Sequence, residues 1–97
     1  MAYTFSNILS IDCIGLTKDG LFKAFAAALE AEDWFGANLD ALYDLLTDRE
    51  DSLVVDLVNW DKADLTPADR LAFESLFEDA VEELEGRLEM RVVARRF

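Results

Sequence analysis

Apolar residues recur along the chain with two periods, one typical of β-strands and the other typical of α-helices. Alternation of apolar and polar residues over positions 9–13 predicts a first strand, and a similar alternation over positions 88–92 predicts a half-exposed last strand. The nearly continuous apolar run Leu53–Val58 is typical of a strand that is covered on both faces. Three strands are therefore expected.

Helical periodicity fills the intervals between these strands. Thr17 can cap a helix that runs from residue 18 to about residue 30, and Asn38 can cap a second helix that ends near Thr47. Threonine and asparagine suit these positions because a side-chain oxygen accepts a hydrogen bond from a free N–H group in the first helical turn. The chain thus predicts a helix in the first interval and a second helix just before the buried strand.

A third helix is predicted after Thr66, because Pro67 loses no needed N–H group at the first helical position. It runs to about residue 85, where Gly86 supplies a left-handed cap. Strands separated by helices imply right-handed crossovers and parallel pairing. The predicted fold class is therefore α/β, with a small three-stranded parallel sheet packed with helices.

The length of 97 residues fits a single domain, in which we interpret residues 1–8 as an N-terminal extension and residues 94–97 as a tail. No apolar run approaches the roughly 20 residues that span a bilayer. Cys13 is the single cysteine and cannot form an internal disulfide, and residues 1–5 lack the pattern of a signal peptide. A cytoplasmic location is therefore expected.

The charge of the chain narrows the class of partner. Twenty-one acidic residues stand against 9 basic ones, which gives a formal net charge of −12. Such a field repels nucleic acids and anionic membranes and attracts basic proteins. Solubility alone is an equally good explanation if charge is the only evidence, so the positions of the acidic residues matter more than their number.

The helix that follows Asn38 carries a leucine stripe on one side and a polar stripe on the other. Carboxylates four residues apart repel each other and destabilise an isolated helix by a few tenths of a kcal/mol. A functional role would explain such a pair, and ordinary helix surface is the alternative. The residues of the polar stripe are Asp40, Tyr43, Asp44 and Thr47.

The segment that contains this stripe reads W-F-G-A-N-L-D-A-L-Y-D from Trp34 to Asp44. An aromatic pair, a glycine, the cap, the core leucines and two carboxylates fall in one register. The pattern resembles the barstar family of small intracellular inhibitors of secreted bacterial ribonucleases. The resemblance extends more coarsely from about Leu9 to Val93, and it implies a barstar-like arrangement of the sheet and helices.

The resemblance also implies a protein partner, a basic ribonuclease whose phosphate-binding site is blocked by carboxylates. In this family an acidic residue of the last long helix also reaches the enzyme, and the matching position here is Asp79, between Phe77 and Ala80. Glu82 and Glu83 are predicted to be exposed as well. The expected partner-binding residues are Trp34, Phe35, Gly36, Asn38, Asp40, Tyr43, Asp44, Thr47 and Asp79.

Some of these positions keep a second interpretation. Core packing is the alternative role for the aromatic residues Trp34, Phe35 and Tyr43, because aromatic side chains serve both cores and interfaces. After the second helix the family has glycine and an aromatic residue, whereas this chain has Asp48 and Arg49. The identity of the target ribonuclease therefore stays open.

Catalysis is poorly supported by the sequence. The chain has no histidine, and Cys13 falls in an apolar strand pattern that is typical of an inert core residue. Asp40 and Asp44 lie on an exposed helix face and lack the apolar cleft that raises a carboxyl pKa. No metal-binding spacing or cofactor fingerprint is present, so we expect neither a metal nor a cofactor.

We therefore predict a ribonuclease inhibitor that acts as an antitoxin or immunity protein and is a monomer when free. The alternative is a non-inhibitory interaction module of the same fold that binds another basic protein. A hydrolase that uses acidic residues is a distant third. A neighbouring gene that encodes a small basic secreted nuclease would separate the first two classes, and activity of the purified chain alone would be required for the third.

Overall fold

A three-stranded parallel sheet organises the chain. The computed structural model describes residues 8–31, 38–48 and 51–95. Within them the strands are β1 (Ile8–Asp12), β2 (Leu53–Val58) and β3 (Leu88–Val93), in the order β1-β2-β3. Both neighbours pair with β2 in parallel. The predicted fold class, strand number and strand direction are confirmed.

Three helices connect the strands and cover the sheet. Their bounds are α1 at Lys18–Ala28, α2 at Leu39–Thr47 and α3 at Pro67–Glu83, with a short 3₁₀ helix at Trp60–Lys62. The second helix ends at the predicted residue, and the first and third each end two residues before the predicted one. Such fraying is usual at helix ends.

Side-chain caps start all three helices, as the sequence predicts. Each cap oxygen accepts a hydrogen bond from the N–H group three residues later, which satisfies one of the free donors of the first turn. The bonds join Thr17 to Gly20 at 3.1 Å, Asn38 to Ala41 at 2.8 Å, and Thr66 to Asp69 at 3.1 Å.

The core contains aromatic residues from α1, α3 and the 3₁₀ helix. Phe22 packs against Phe73 with ring centroids 5.3 Å apart, and Phe25 packs against Phe77 at 5.7 Å. Trp60 meets Phe77 edge to face at 5.8 Å. Fully burying a phenylalanine stabilises a protein by about 1.5–3 kcal/mol, so this cluster fixes α3 against the sheet.

The central strand is buried along its whole length, as predicted. Leu53, Val55 and Leu57 join the main core, whereas Asp56 points to the opposite face of the sheet. Asp56 is only 7% exposed and pairs with Arg91 of β3. Arg91 lies in the half-exposed last strand that the sequence predicts, and its side chain is 47% exposed, but the sequence pattern does not indicate its ion pair.

Three further details near the end of the chain were not expected. Gly86 has a positive φ of 93°, as predicted, but Glu85 before it also has a positive φ of 47°. Val92 is 67% exposed although it alternates with polar residues, because it lies near the end of an edge strand. Arg95, expected in a tail, donates its backbone N–H to Asn59 at 2.9 Å and is thereby anchored.

Candidate partner-binding surface

The leucine side of α2 fixes which way its polar side faces. Leu42 and Leu46 are fully buried in the core, and Leu39 packs against it. Because residues three and four apart share one face of a helix, the opposite stripe must point outward. Asp40 and Asp44 are both exposed, one helical turn apart.

The two remaining residues of the α2 stripe are more constrained. Tyr43 is half-buried and packs against the core, so core packing accounts for part of its side chain, and its role in partner binding stays a prediction. The Thr47 hydroxyl donates to the Tyr43 carbonyl at 2.8 Å, which ties it to its own helix. Thr47 can therefore contribute to the shape of the surface, but its hydroxyl proton is already engaged in this hydrogen bond.

Helix α3 presents a second acidic row beside α2. Phe73, Phe77 and Ala80 are buried, and Asp79 is exposed, as helical spacing predicts. The two helices pack against each other. The position carried over from the family is therefore on the helix that adjoins α2.

A shallow groove of about 420 Å³ lies where α2 and α3 meet. It is lined by Tyr43 and by four acidic residues, Asp79, Glu82, Glu83 and Glu85. Asp79, Glu82 and Glu83 recur at i, i+3 and i+4 and so share one face of α3. We name this site the acidic groove.

Carboxylates of both helices affect the pKa of Tyr43. The pKa of the Tyr43 hydroxyl is raised above its usual value by partial burial, and then by the negative charges of Glu83, Asp79 and Asp44, with Glu82 adding to the effect. Each of these charges disfavours a further negative charge on the tyrosine. Tyr43 is therefore a neutral hydrogen-bonding group within a field of carboxylates.

Three groove residues, Glu82, Glu83 and Glu85, were not among the expected partner-binding residues. Helical spacing identified Glu83 as exposed but could not place it opposite Tyr43, because that contact depends on how α2 and α3 pack. Glu85 lies beyond the end of α3 with a positive φ, which no pattern in the sequence indicates for a glutamate. Trp34, Phe35 and Gly36 lie outside the described residues, so their roles stay predictions.

The described carboxylates do not converge on a cation. Within residues 8–31, 38–48 and 51–95, no group of three histidine, cysteine or acidic side chains is placed to hold a metal ion. Cys13 is fully buried, and its pKa is raised to about 11, chiefly by burial and also by Asp12. Its thiol is therefore unreactive at neutral pH, as its sequence pattern predicts.

Comparison with known protein families identifies the family of this chain. The family described as Barstar (barnase inhibitor) matches residues 7–95 of the 97-residue chain. The chain belongs to the barstar family. No curated protein matches it. Barstar-family proteins are inhibitors rather than enzymes, and family membership implies a ribonuclease as the kind of protein partner.

The described helices were also compared with the length and apolarity that a membrane span requires. None of the helices in the described part of this barstar-family chain is both long and apolar enough to cross a bilayer. The longest of them, α3, carries the acidic row described above.

Proposed function

We propose that this barstar-family protein inhibits a basic ribonuclease by filling its active site with the acidic face of α2 and α3. Asp40, Asp44 and Asp79 would occupy phosphate positions and accept hydrogen bonds from arginine and lysine side chains of the enzyme. Charge-assisted bonds of this kind are short, strong and in part bidentate. Inhibition would then require no chemistry from the inhibitor.

The observation that supports this proposal best is the composition of the acidic groove. Tyr43 of α2 and four acidic side chains of α3 and its C-terminal turn line one depression. A pocket that binds RNA phosphate is basic, so the acidic surface of these two helices, with Tyr43 between its carboxylates, complements it in charge. Aromatic residues are also enriched among the residues that dominate binding energies.

The proposal includes a biological setting. A cell that secretes or receives a toxic ribonuclease needs an inhibitor in its own cytoplasm, so we assign the protein an antitoxin or immunity role there. In this role the free inhibitor is a monomer whose acidic face remains accessible. Trp34, Phe35 and Gly36 would complete the binding face before α2, and Asn38 would hold the start of that helix in place.

A matched pair of variants tests the proposal. One variant carries Asp44→Asn, Asp79→Asn and Glu83→Gln at or beside the acidic groove. The control carries three substitutions of exposed residues elsewhere, Asp19→Asn, Asp61→Asn and Asp64→Asn. Both remove three negative charges, so they weaken the overall field equally. The assay measures inhibition of a purified small basic ribonuclease, either one encoded beside this gene or barnase.

The proposal predicts that the groove variant loses inhibition by at least about 100-fold while the control changes it by less than about tenfold. Equal losses would mean that only net charge matters. Binding of a basic protein without loss of ribonuclease activity would support the non-inhibitory interaction module instead. That alternative uses the same face, so only the ribonuclease readout separates the two.

A further inference from the structure

The outer edge of β3 is a second surface with the features of a binding site. The Leu53 N–H donates to the Arg87 carbonyl at 2.8 Å, and the Asn59 N–H donates to the Val93 carbonyl at 2.7 Å. Backbone groups of alternate residues in a parallel strand point to opposite sides. Met90 and Val92 therefore direct their N–H and C=O groups away from β2, where the described sheet ends.

An apolar groove of about 300 Å³ opens beside this edge. Its floor is formed by Phe77 and Val81 of α3 and by Met90 of β3. Val92, two residues further along the same face of β3, is 67% exposed. Free backbone groups thus adjoin apolar side chains, which is the combination that strand addition uses for affinity and for side-chain selection.

The rim of this apolar groove is acidic. Glu78 and Glu82 line it, one turn apart on α3, so their backbone positions differ by about 6 Å along the helix axis. Alternate side chains of an extended strand are spaced by about 6.6 Å. One face of an added strand could therefore place an apolar side chain over Met90 and long basic side chains beside both carboxylates.

We propose that the β3 edge binds an extended segment of a basic partner protein by strand addition. The segment has an apolar residue that enters the groove between Phe77, Val81 and Met90, and lysine or arginine residues on the same face that pair with Glu78 and Glu82. This site adjoins the acidic groove and shares Glu82 with it, but its apolar floor and the β3 edge lie outside that groove, and it does not depend on ribonuclease inhibition. A second copy of the chain fits less well, because it would bring its own Glu78, Glu82 and net charge of −12 against the same carboxylates.

Titration of the full chain with short peptides tests this proposal. The probe is the capped peptide TVTKTKT, whose valine and two lysines share one face when extended and whose lysines are about 6.6 Å apart. One control peptide replaces both lysines by glutamate, and a second carries N-methyl groups on the residues that would donate to β3. Amide chemical shifts of the chain report where each peptide binds, and the shift amplitudes give its affinity.

Protein variants make the test specific to this edge. Val92→Lys should weaken binding of the probe about tenfold or more, and Glu78→Gln should weaken it about threefold. The matched control is Ile8→Lys, which replaces a 56% exposed apolar residue of β1 at the opposite edge of the sheet and should leave binding unchanged. Glu78→Gln should also leave ribonuclease inhibition unchanged, because Glu78 does not line the acidic groove.

Three results would overturn the proposal. The first is equal binding of the lysine and glutamate peptides, and the second is equal loss of binding in Val92→Lys and Ile8→Lys. The third is self-association of the chain that Val92→Lys abolishes, since the occupant would then be a second copy. The expected outcome is a shift pattern centred on Met90 and Val92 that only the unmethylated basic peptide produces.

Discussion

Carboxylates occur in two contrasting environments in this protein. Asp56 is 7% exposed, and Arg91 donates to both of its oxygens, from Nε at 2.6 Å and from Nη2 at 3.0 Å. The acidic groove instead gathers four exposed carboxylates around Tyr43, and its lining includes no lysine or arginine. The chain thus pairs a carboxylate where burial requires it and leaves others at the surface for an external cation.

The energetic reason for this contrast is desolvation. A buried carboxylate without a partner costs several kcal/mol, so Asp56 requires Arg91 for folding. Exposed like charges on one helix cost only a few tenths of a kcal/mol per pair, so the folded protein tolerates the acidic groove. The large gain is available only when a basic partner displaces water from the groove. If the proposed function is correct, folding and binding therefore rest on different carboxylates.

Among the single substitutions that we consider, Asp44→Ala should cause the largest loss of inhibition. It should not reduce the stability of the fold. Asp44→Ala would leave partner cations buried without their counter-charge, which typically costs about 2–5 kcal/mol of binding. That range includes measurements on the complex of barnase with barstar, and only barstar belongs to the family of this chain. Titration of a basic ribonuclease with the variant measures the loss.

The control for this variant separates contact from net charge. Asp61→Ala removes the same charge at an exposed site in the 3₁₀ helix and should preserve tight inhibition. Asp44→Ala should not lower the thermal midpoint, because it removes a like-charge pair with Asp40. Retention of wild-type inhibition by Asp44→Ala would show that the proposed anchor is wrong.

Arg91→Ala should have the opposite profile, with a loss of stability and intact inhibition. It leaves the buried Asp56 without its two hydrogen bonds, and we expect unfolding free energy to fall by about 2 kcal/mol. The value is below the usual range for a broken buried pair because the Arg91 side chain is 47% exposed and partly screened. Urea denaturation measures it, and Lys62→Ala, which removes an exposed cation, should change stability by less than about 0.5 kcal/mol.

Acid titration gives a third, smaller contrast between these environments. The hydrogen bonds and charge of Arg91 lower the pKa of Asp56 despite the opposing effect of burial. A lowered folded-state pKa contributes stability above the unfolded value, about 3.9, that is lost as pH falls through the folded value. The stability difference between wild type and Asp56→Asn should therefore be constant from pH 6 to 8 and shrink below about pH 4. A difference that already disappears near pH 6 would contradict this assignment.

The local parts of this fold were predictable, because short-range chemistry determines them. Each helix has a side-chain cap that accepts a hydrogen bond from the N–H group three residues later, at Thr17, Asn38 and Thr66. The nearly continuous apolar run Leu53–Val58 predicts the buried central strand. The family signature indicated the exposed positions Asp40, Asp44 and Asp79. The elements need only helix period, strand period and capping, whereas the choice of these three acidic positions rests on the family resemblance.

The parts that sequence reasoning missed depend on contacts between distant residues. Asp56 and Arg91 are 35 positions apart and meet only because β2 and β3 pair in one register. Glu83 lies near Tyr43 only because α2 packs against α3. A single sequence does not specify register or helix packing, so the ion pair and the membership of the groove were not accessible from it.

The salt dependence of ribonuclease association should depend on the acidic groove and not on the Asp56–Arg91 pair. A net charge of −12 steers a basic ribonuclease toward the inhibitor, and ions screen that field over about 8 Å at physiological ionic strength. We expect the association rate constant to fall on the order of tenfold between 20 mM and 500 mM salt, and the Arg91→Ala variant to follow the same curve. Stopped-flow fluorescence measures both, and a flat curve would favour an apolar interface.

The ionisation of Tyr43 offers the smallest and most local test of the acidic groove. Partial burial raises its pKa, and the charge of Glu83 is the largest electrostatic contribution. Glu83→Gln should therefore lower the pKa of Tyr43, because one negative charge no longer opposes the phenolate. Ultraviolet titration of tyrosinate absorbance measures this, and Tyr43→Phe assigns the signal against Tyr3, the other tyrosine of the chain.

Glu89→Gln on β3 supplies the matched control, since Glu89 is exposed but does not contribute to the shift of Tyr43. An identical shift in both glutamine variants would mean that Tyr43 senses only the net charge of the protein and that Glu83 does not face it.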